Sequence, residues 1–286
     1  MNFPPRAFII GAQKAATTSL AFLLDQHPAI QLSDPKETHF FSVNWDQGEA
    51  WYRKKFATAS DDVMLLDAST SYAMAPVSDT VPDSSKRPRW GRSVPGRIHS
   101  YAGDAKFFYM LRKPADRTYS AYWHMVRSGR ERMPFREAIE AHPVYLETSK
   151  YYAQMAVFLD HFDLKDFYLI DFRAFSQNPN KYAQASLDFL ETSQRDFDFE
   201  LEVEKNKSFQ YNTAGLTVQK LFGSDRNLKS ANLLIKRLIP KTLHNRLKSI
   251  VSKGIPPMSD ADRAYLEDYF AKDNEKLREF TGFEFQ

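Results

Sequence analysis

Short apolar runs alternate with longer amphipathic stretches between residues 7 and 192. Buried strands are predicted at residues 7–10, 64–67, 107–111 and 167–171. The segments between them carry apolar residues at helical spacing. Strands that alternate with helices predict a parallel sheet with helices on both faces. The pattern therefore predicts a three-layer α/β fold.

The same pattern places the other elements and the breaks between them. It predicts a short extended segment at residues 30–32, and helices at 17–27, 45–56, 115–128, 135–141, 151–162, 179–191 and 260–280. Residues 77–100 are rich in proline, serine, arginine and glycine and are predicted to form a loop. We predict one domain over residues 1–286, with its core at about 7–192 and a helical C-terminal part at about 213–286.

The first predicted strand runs into a turn of small residues at positions 11–19. Lys14 lies in this turn, and Thr17, Thr18 and Ser19 open the next helix. A helix N-terminus offers unpaired N–H groups and a positive dipole end, so this order predicts an anion site. The alternative is a strand–helix turn that contains these residue types by chance. Two alanines separate the lysine from the first threonine, unlike the magnesium-binding loop G-x-x-x-x-G-K-[ST].

A second strand-to-helix junction follows the apolar run at residues 106–111. Arg112 ends that run, Pro114 opens the next helix, and Ser120 lies two turns further on. A guanidinium and a hydroxyl placed in this way can converge on a phosphate. Because ligands of parallel sheets gather beyond the carboxyl ends of the strands, we expect this junction to lie near the turn at 11–19.

A third segment, Pro-Lys-Glu-Thr-His-Phe-Phe at residues 35–41, carries candidate acid–base chemistry. Glu37 and His39 would share a face in an extended segment but not in a helical turn. Glu37 is a candidate general base, and a surface charge before an aromatic plug is the alternative. Three functional roles are open for His39: binding an acceptor, assisting proton transfer, or orienting Glu37. A purely structural histidine is the fourth possibility.

These three segments resemble motifs of sulfotransferases that use 3′-phosphoadenosine 5′-phosphosulfate (PAPS). The turn at 11–19 resembles their P-loop-like 5′-phosphosulfate loop, and residues 111–124 resemble their 3′-phosphate motif, here L-R-x-P-x-x-R-x-x-S-x-Y-x-H. Residues 35–41 resemble the K-E-x-H-F-F element of the heparan-sulfate-type branch and its bacterial relatives. Family members often have glycine where this chain has Ala15 or Ala16, and we predict a negative φ at both alanines.

The resemblance implies in-line transfer of a sulfuryl group from PAPS to a hydroxyl or amine, with 3′-phosphoadenosine 5′-phosphate (PAP) as product and no metal. The implied acceptor is a carbohydrate or another small alcohol. The implied catalytic residues are Glu37, Lys14 and His39. Donor binding is implied for Lys14, Ala15, Ala16, Thr17, Thr18, Ser19, Arg112 and Ser120. Contact with the acceptor is implied more weakly for Lys36, His39, Ser69, Tyr72 and His124, although Ser69 and Tyr72 also suit turn and capping chemistry.

Three further segments have both a functional and a plain interpretation. The basic loop at 77–100 could cover the donor or guide an anionic acceptor, or be an ordinary solvated loop. The resemblance also implies, weakly, a third donor-binding segment at residues 206–212. The basic stretch at 228–250 is a solvated helix face or a docking surface for an acidic acceptor.

Composition narrows the class of protein. The chain has 39 basic and 36 acidic residues, a net charge of +3, which is too balanced to predict nucleic-acid binding. It has no cysteine, no apolar run of membrane-spanning length and no signal-peptide pattern. These features predict a cytoplasmic, bacterial protein, and they leave the oligomeric state open.

Two rival functions fit the same strand–loop–helix pattern. A nucleotide or small-molecule kinase would need a magnesium ligand beside the loop lysine and an acid at the end of a neighbouring strand, which Asp67 could supply. A non-catalytic PAP-binding protein would bind the nucleotide and transfer nothing.

Overall fold

A parallel sheet forms the centre of the computed structural model, which describes residues 3–56, 63–78, 92–192, 196–200, 209–211 and 252–286. In the described chain this sheet has five strands in the spatial order β2-β3-β1-β4-β5, and each neighbouring pair is parallel. The strands are β1 (Ala7–Gly11), β2 (Ile30–Leu32), β3 (Met64–Asp67), β4 (Lys106–Leu111) and β5 (Phe167–Asp171). The four predicted strands are confirmed, and the predicted extended segment is the edge strand β2.

The central strands are buried on both faces because helices flank the sheet. All five residues of β1 are buried, and so are the last five residues of β4. Such continuous apolar runs are typical of strands that are covered on both sides. The described helices are α1 (Thr17–Leu24), α2 (Glu49–Arg53), α3 (Val94–Tyr101), α4 (Pro114–Arg127), α5 (Phe135–Ala141), α6 (Val144–Glu147), α7 (Tyr151–Leu159), α8 (Phe172–Gln177), α9 (Pro179–Phe189) and α10 (Asp260–Thr281).

Two predictions about helices were wrong. The predicted helix at 45–56 is broken at Gly48, whose φ of 75° lies outside the helical region, so only short turns and α2 form. Part of the predicted loop at 77–100 is the helix α3, which has Pro95 in its first turn. Val94 and Ile98 lie one helical turn apart in α3 and are both buried. This apolar spacing outweighs the loop-like composition around it.

Several predicted segments lie outside the described residues, namely 79–91, 201–208 and 212–251, which contain the basic stretch at 228–250. Of the candidate donor segment at 206–212, the described part is the strand β6 (Phe209–Tyr211), which pairs antiparallel with β7 (Ser252–Gly254). The final helix α10 is confirmed. Within the described ranges, every helix is too short or too polar to cross a lipid bilayer.

A buried carboxylate joins the sheet to the segment that follows β2. Asp67 ends β3, is 0% exposed, and accepts hydrogen bonds at Oδ2 from the hydroxyls of Thr38 (2.7 Å), Tyr52 (2.8 Å) and Tyr72 (2.7 Å). Its Oδ1 accepts from the hydroxyl of Ser69 at 2.6 Å. Burial and the nearby Asp67 carboxylate raise the pKa of both tyrosines well above the usual value, so they stay protonated donors. Four hydroxyls therefore occupy the acceptor sites of this carboxylate.

We expect Asp67→Asn to lower the free energy of unfolding by at least about 1–3 kcal/mol. An amide nitrogen cannot accept, so at least one buried hydroxyl loses its acceptor, at about 1–3 kcal/mol each. Urea unfolding followed by circular dichroism measures the change. The matched control is Asp104→Asn at an exposed ion pair with Arg6, which should cost less than about 1 kcal/mol. Equal stability of the two variants would contradict the role given to Asp67.

Candidate active site

The turn after β1 contains two residues with a left-handed backbone conformation. Lys14 has φ 77° and Ala16 has φ 65°, and α1 begins directly after Ala16. The prediction of a negative φ was wrong for Ala16 and correct for Ala15. The turn requires a left-handed residue at position 16, and alanine adopts that conformation at a cost of about 1–2 kcal/mol.

The backbone of this turn leaves N–H groups available to a ligand. Ala15 and Ser19 donate their N–H groups to carbonyls within the turn. The N–H groups of Ala16, Thr17 and Thr18 have no acceptor in the part of the chain that the structure describes. Together with the positive end of the α1 dipole, these groups form a site for an anion.

Lys14 lies in a positively charged environment. Burial, and to a smaller extent the positive charges of Arg127 and Arg112, lower the pKa of Lys14 to about 8. With the described residues, the Lys14 ammonium group makes neither a hydrogen bond nor an ion pair. Lys14 therefore lies just before the N-terminus of α1 and under the influence of two further positive charges, which favours a ligand with several negative charges.

The second predicted anion site lies next to the first. Arg112 Nη1 donates to the carbonyl oxygen of Lys14 at 3.2 Å, and its guanidinium lies 4.8 Å from the centre of the Phe172 ring. Arg112 and Phe172 line a cavity of about 170 Å³, whose other charged side chains are two cations and two carboxylates: Lys113, Arg173, Asp116 and Asp171. The hydroxyl of Ser120 is buried and has no hydrogen-bond partner among the described residues. A buried hydroxyl without a partner fits a site that a ligand completes.

Sequence reasoning missed Arg127. Ser120, His124 and Arg127 lie four and three residues apart on α4, so they share one face of that helix. Arg127 Nη2 donates to Nδ1 of His124 at 3.1 Å. His124, a candidate for binding the acceptor substrate, therefore lies beside the guanidinium whose charge lowers the pKa of Lys14. The helical spacing from Ser120 was the signal that could have found it.

The segment after β2 brings Glu37 and His39 together through an unusual backbone. Both residues are left-handed, with φ 66° and φ 51°, so the segment is neither extended nor helical. Thr38 between them is bound to Asp67, and the N–H of His39 donates to the hydroxyl of Ser69 at 3.0 Å. As a result His39 Nε2 lies 3.8 Å from Glu37 Oε2. The predicted anchor of this segment, the Phe-Phe pair at 40–41, is fully buried.

The Glu37 carboxylate has one occupied oxygen and one that faces the histidine. Its Oε1 accepts hydrogen bonds from Lys36 Nζ and from the Thr70 hydroxyl, each at 3.2 Å. Its Oε2 faces His39. The side chain of Glu37 is 37% exposed, so a ligand can reach the carboxylate.

Ser69 and Tyr72 do not line an open surface. Ser69 is 0% exposed, Tyr72 is 1% exposed, and both hydroxyls are directed to Asp67. Their geometry agrees with the turn and capping interpretation rather than with direct contact to an acceptor. They act on the site by holding the segment that carries Glu37 and His39.

The strand–loop–helix site, in which the turn after β1 lies beside Arg112, has a match among known families. A model described as the sulfotransferase family matches residues 5–196. This chain belongs to the sulfotransferase family.

Other sulfotransferases resemble it over parts of their length. The human bifunctional heparan sulfate N-deacetylase/N-sulfotransferase 2 is 36% identical over 131 residues, which is 44% of this chain and 13% of that protein. The mouse heparan sulfate glucosamine 3-O-sulfotransferase 5 is 26% identical over 182 residues, which is 58% of this chain and 47% of that protein. The chain thus matches about half or less of the length of these curated relatives.

A solved structure shows the same fold over nearly the whole chain. The sulfotransferase from Alicyclobacillus acidocaldarius superposes with a TM-score of 0.69 at 23% identity and covers 98% of this chain and 97% of its own. The arrangement of β1, β3 and β4 around the candidate site is therefore that of a sulfotransferase fold.

We expect the amine of Lys14 to titrate near pH 8. The rate of its acylation by a small amine-reactive reagent, followed by mass spectrometry against pH, measures this. In Arg127→Met the pKa of Lys14 should rise, because removal of a neighbouring positive charge favours the charged lysine. Arg130→Met is the control, since Arg130 is exposed and is not among the charges that act on Lys14. An unchanged Lys14 titration in Arg127→Met would contradict the proximity of the two cations.

Proposed function

We propose that this sulfotransferase transfers a sulfuryl group from PAPS to a hydroxyl or amine of a carbohydrate-type acceptor. The observation that carries this proposal is the adjoining pair of anion pockets, joined where Arg112 donates to the Lys14 carbonyl at 3.2 Å. PAPS carries a 3′-phosphate and a 5′-phosphosulfate on the same ribose, and two neighbouring anion sites would match that distribution of charge. The relatives named for heparan sulfate support a glycan as the acceptor.

Each pocket is assigned one end of the donor. The N–H groups of Ala16, Thr17 and Thr18 would bind the 5′-phosphosulfate, with the hydroxyls of Thr17, Thr18 and Ser19 as further donors. Arg112 would bind the 3′-phosphate through its forked guanidinium, and the unpartnered hydroxyl of Ser120 would complete that pocket. The 3′-phosphate is the group that distinguishes this donor from ATP.

The reaction needs one base and one cation on opposite sides of the sulfuryl group. Glu37 would take the proton from the acceptor as the new bond to sulfur forms. Lys14 would neutralise the negative charge on the bridging oxygen as the bond from sulfur to that oxygen breaks and PAP leaves. Lys36 and Thr70 hold one oxygen of Glu37 and leave the other for the proton. Fixed charges of this kind act by position and electrostatics.

The geometry around Asp67 disfavours the kinase interpretation. That function would require Asp67, at the end of the neighbouring strand, to bind magnesium beside the loop lysine. Its carboxylate is 0% exposed and already accepts four hydroxyl donors. A magnesium ion would have to displace buried partners that hold the Glu37 segment in place.

Three features of the proposal rest on the sequence. The single domain over residues 1–286 and the cytoplasmic location stay predictions, the latter from the absence of cysteine. The balanced charge keeps nucleic acid outside the predicted partners.

A function without added metal is proposed because Lys14, Arg112 and Arg127 supply positive charge at the donor.

We expect PAP to raise the melting temperature of the protein more than ADP with magnesium does, because only PAP fills both pockets. Arg112→Met should remove most of the shift caused by PAP. Lys165→Ala, at an exposed pair with Asp163, is the control and should keep the full shift. A larger shift with ADP and magnesium than with PAP would favour the kinase.

We expect Lys14→Ala and Glu37→Gln each to lower kcat about 10²–10³-fold, because each removes a group that acts on the transition state. A radiolabelled PAPS assay with heparan-type oligosaccharides measures the loss. Glu37→Gln should still bind PAP, since the carboxylate lies on the acceptor side. If the wild-type protein binds PAP but sulfates no acceptor in a broad panel, the non-catalytic alternative stands.

A further inference from the structure

Two buried serines connect the far side of the His39 ring to the protein. Nδ1 of His39 lies 2.7 Å from the hydroxyl of Ser71, and that hydroxyl lies 2.7 Å from the hydroxyl of Ser42. Ser71 is 2% exposed and Ser42 is 4% exposed. The other ring nitrogen, Nε2, faces Glu37 Oε2 at 3.8 Å. The four side chains form one line from Ser42 to Glu37.

The direction of the hydrogen bonds along this line follows from the number of protons. Each serine hydroxyl can donate only one. Ser42 has two possible acceptors, the Ser71 hydroxyl at 2.7 Å and the His39 carbonyl at 3.2 Å. That carbonyl already accepts the N–H groups of Ser42 (3.3 Å), Val43 (2.9 Å) and Asn44 (3.0 Å). Because a carbonyl oxygen has only two lone pairs and three donors already share them, the Ser42 hydroxyl donates to Ser71 instead.

The second serine then decides the state of the ring. Ser71 accepts from Ser42 and has its own proton left for Nδ1 of His39. A neutral imidazole whose Nδ1 accepts carries its proton on Nε2. That N–H faces the Glu37 carboxylate, and the attraction between them favours the same tautomer. The hydrogen bond from Ser71 and the charge of Glu37 therefore both favour a proton on Nε2 of His39.

We propose that Ser42 and Ser71 are positioning residues that hold His39 as the Nε2–H tautomer and so make Glu37 the base. This inference rests on the proposed sulfuryl transfer and decides between two roles that the sequence left open. In this tautomer the lone pair of His39 is used by Ser71, and the ring has no basic nitrogen on the Glu37 side. His39 instead donates toward Glu37 and orients its carboxylate, and the acceptor proton passes to Glu37 Oε2.

Nitrogen-15 NMR of the histidine rings tests the tautomer directly, without any turnover. At a pH where the ring is neutral, we expect a protonated Nε2 and an unprotonated Nδ1, with the signals assigned by their loss in His39→Gln. A protonated Nδ1 in the wild-type protein would overturn the proposal. If the expected tautomer is found in a protein that transfers nothing from PAPS, the proposed function fails while the assignment of the tautomer stands.

Kinetics of matched serine variants test the consequence for catalysis. Ser71→Ala should lower kcat about 10- to 100-fold, the size of effect seen when metal-ligating histidines lose an orienting partner, and leave PAP binding unchanged. Ser71→Thr keeps the hydroxyl and should restore most of the activity. Ser186→Ala is the control, because Ser186 is also buried but its hydroxyl donates to the backbone carbonyl of Tyr182, within α9. Full activity in Ser71→Ala, or an equal loss in Ser186→Ala, would overturn the proposal.

Discussion

The carboxylate of Asp67 is the constraint on which the acceptor side of the site depends. A buried charge is stable only when hydrogen bonds replace its hydration, and here four hydroxyls do so rather than a cation. Through Thr38 and Ser69 the same carboxylate fixes the backbone at Thr38 and at the N–H of His39. The position of the candidate base is thus set by the end of β3, although the base lies thirty residues earlier in the chain.

Strained backbone is concentrated where ligands are expected. Of the five non-glycine residues with positive φ in the described chain, four belong to the site: Lys14, Ala16, Glu37 and His39. Such conformations persist only when their surroundings hold them in place. The carboxyl ends of β3 and β4 provide that support. Arg112, which follows β4, contacts the Lys14 carbonyl, and Asp67, which ends β3, binds the surrounding hydroxyls. Rigid strands therefore position the chemistry that the turns carry.

The sequence was sufficient for the strands and for the three motifs, because apolar runs and local residue order are properties of neighbouring residues. It was insufficient where a distant contact decides the outcome. The backbone of Ala16, the face shared by Glu37 and His39, and the place of Arg127 beside Lys14 all depend on elements that meet only after folding. The line from Ser42 through Ser71 to His39 joins residues 29 to 32 positions apart. Two unremarkable serines give no local signal of such a role.

The two sides of the site differ in charge in a way that suits sulfuryl transfer. Around the donor turn, Arg112 and Arg127 disfavour the charged form of Lys14 and burial does so more strongly, hence its pKa of about 8. An anionic donor reverses that balance, because negative charge beside Lys14 favours the ammonium form. Lys14 is then fully charged when the donor is bound, which is when a leaving oxygen needs a cation. On the acceptor side, Glu37 keeps one oxygen for the proton while Lys36 and Thr70 hold the other. In the proposed mechanism the base and the cation come from two different turns, each with left-handed backbone, so that each would act on only one of the two bonds that change.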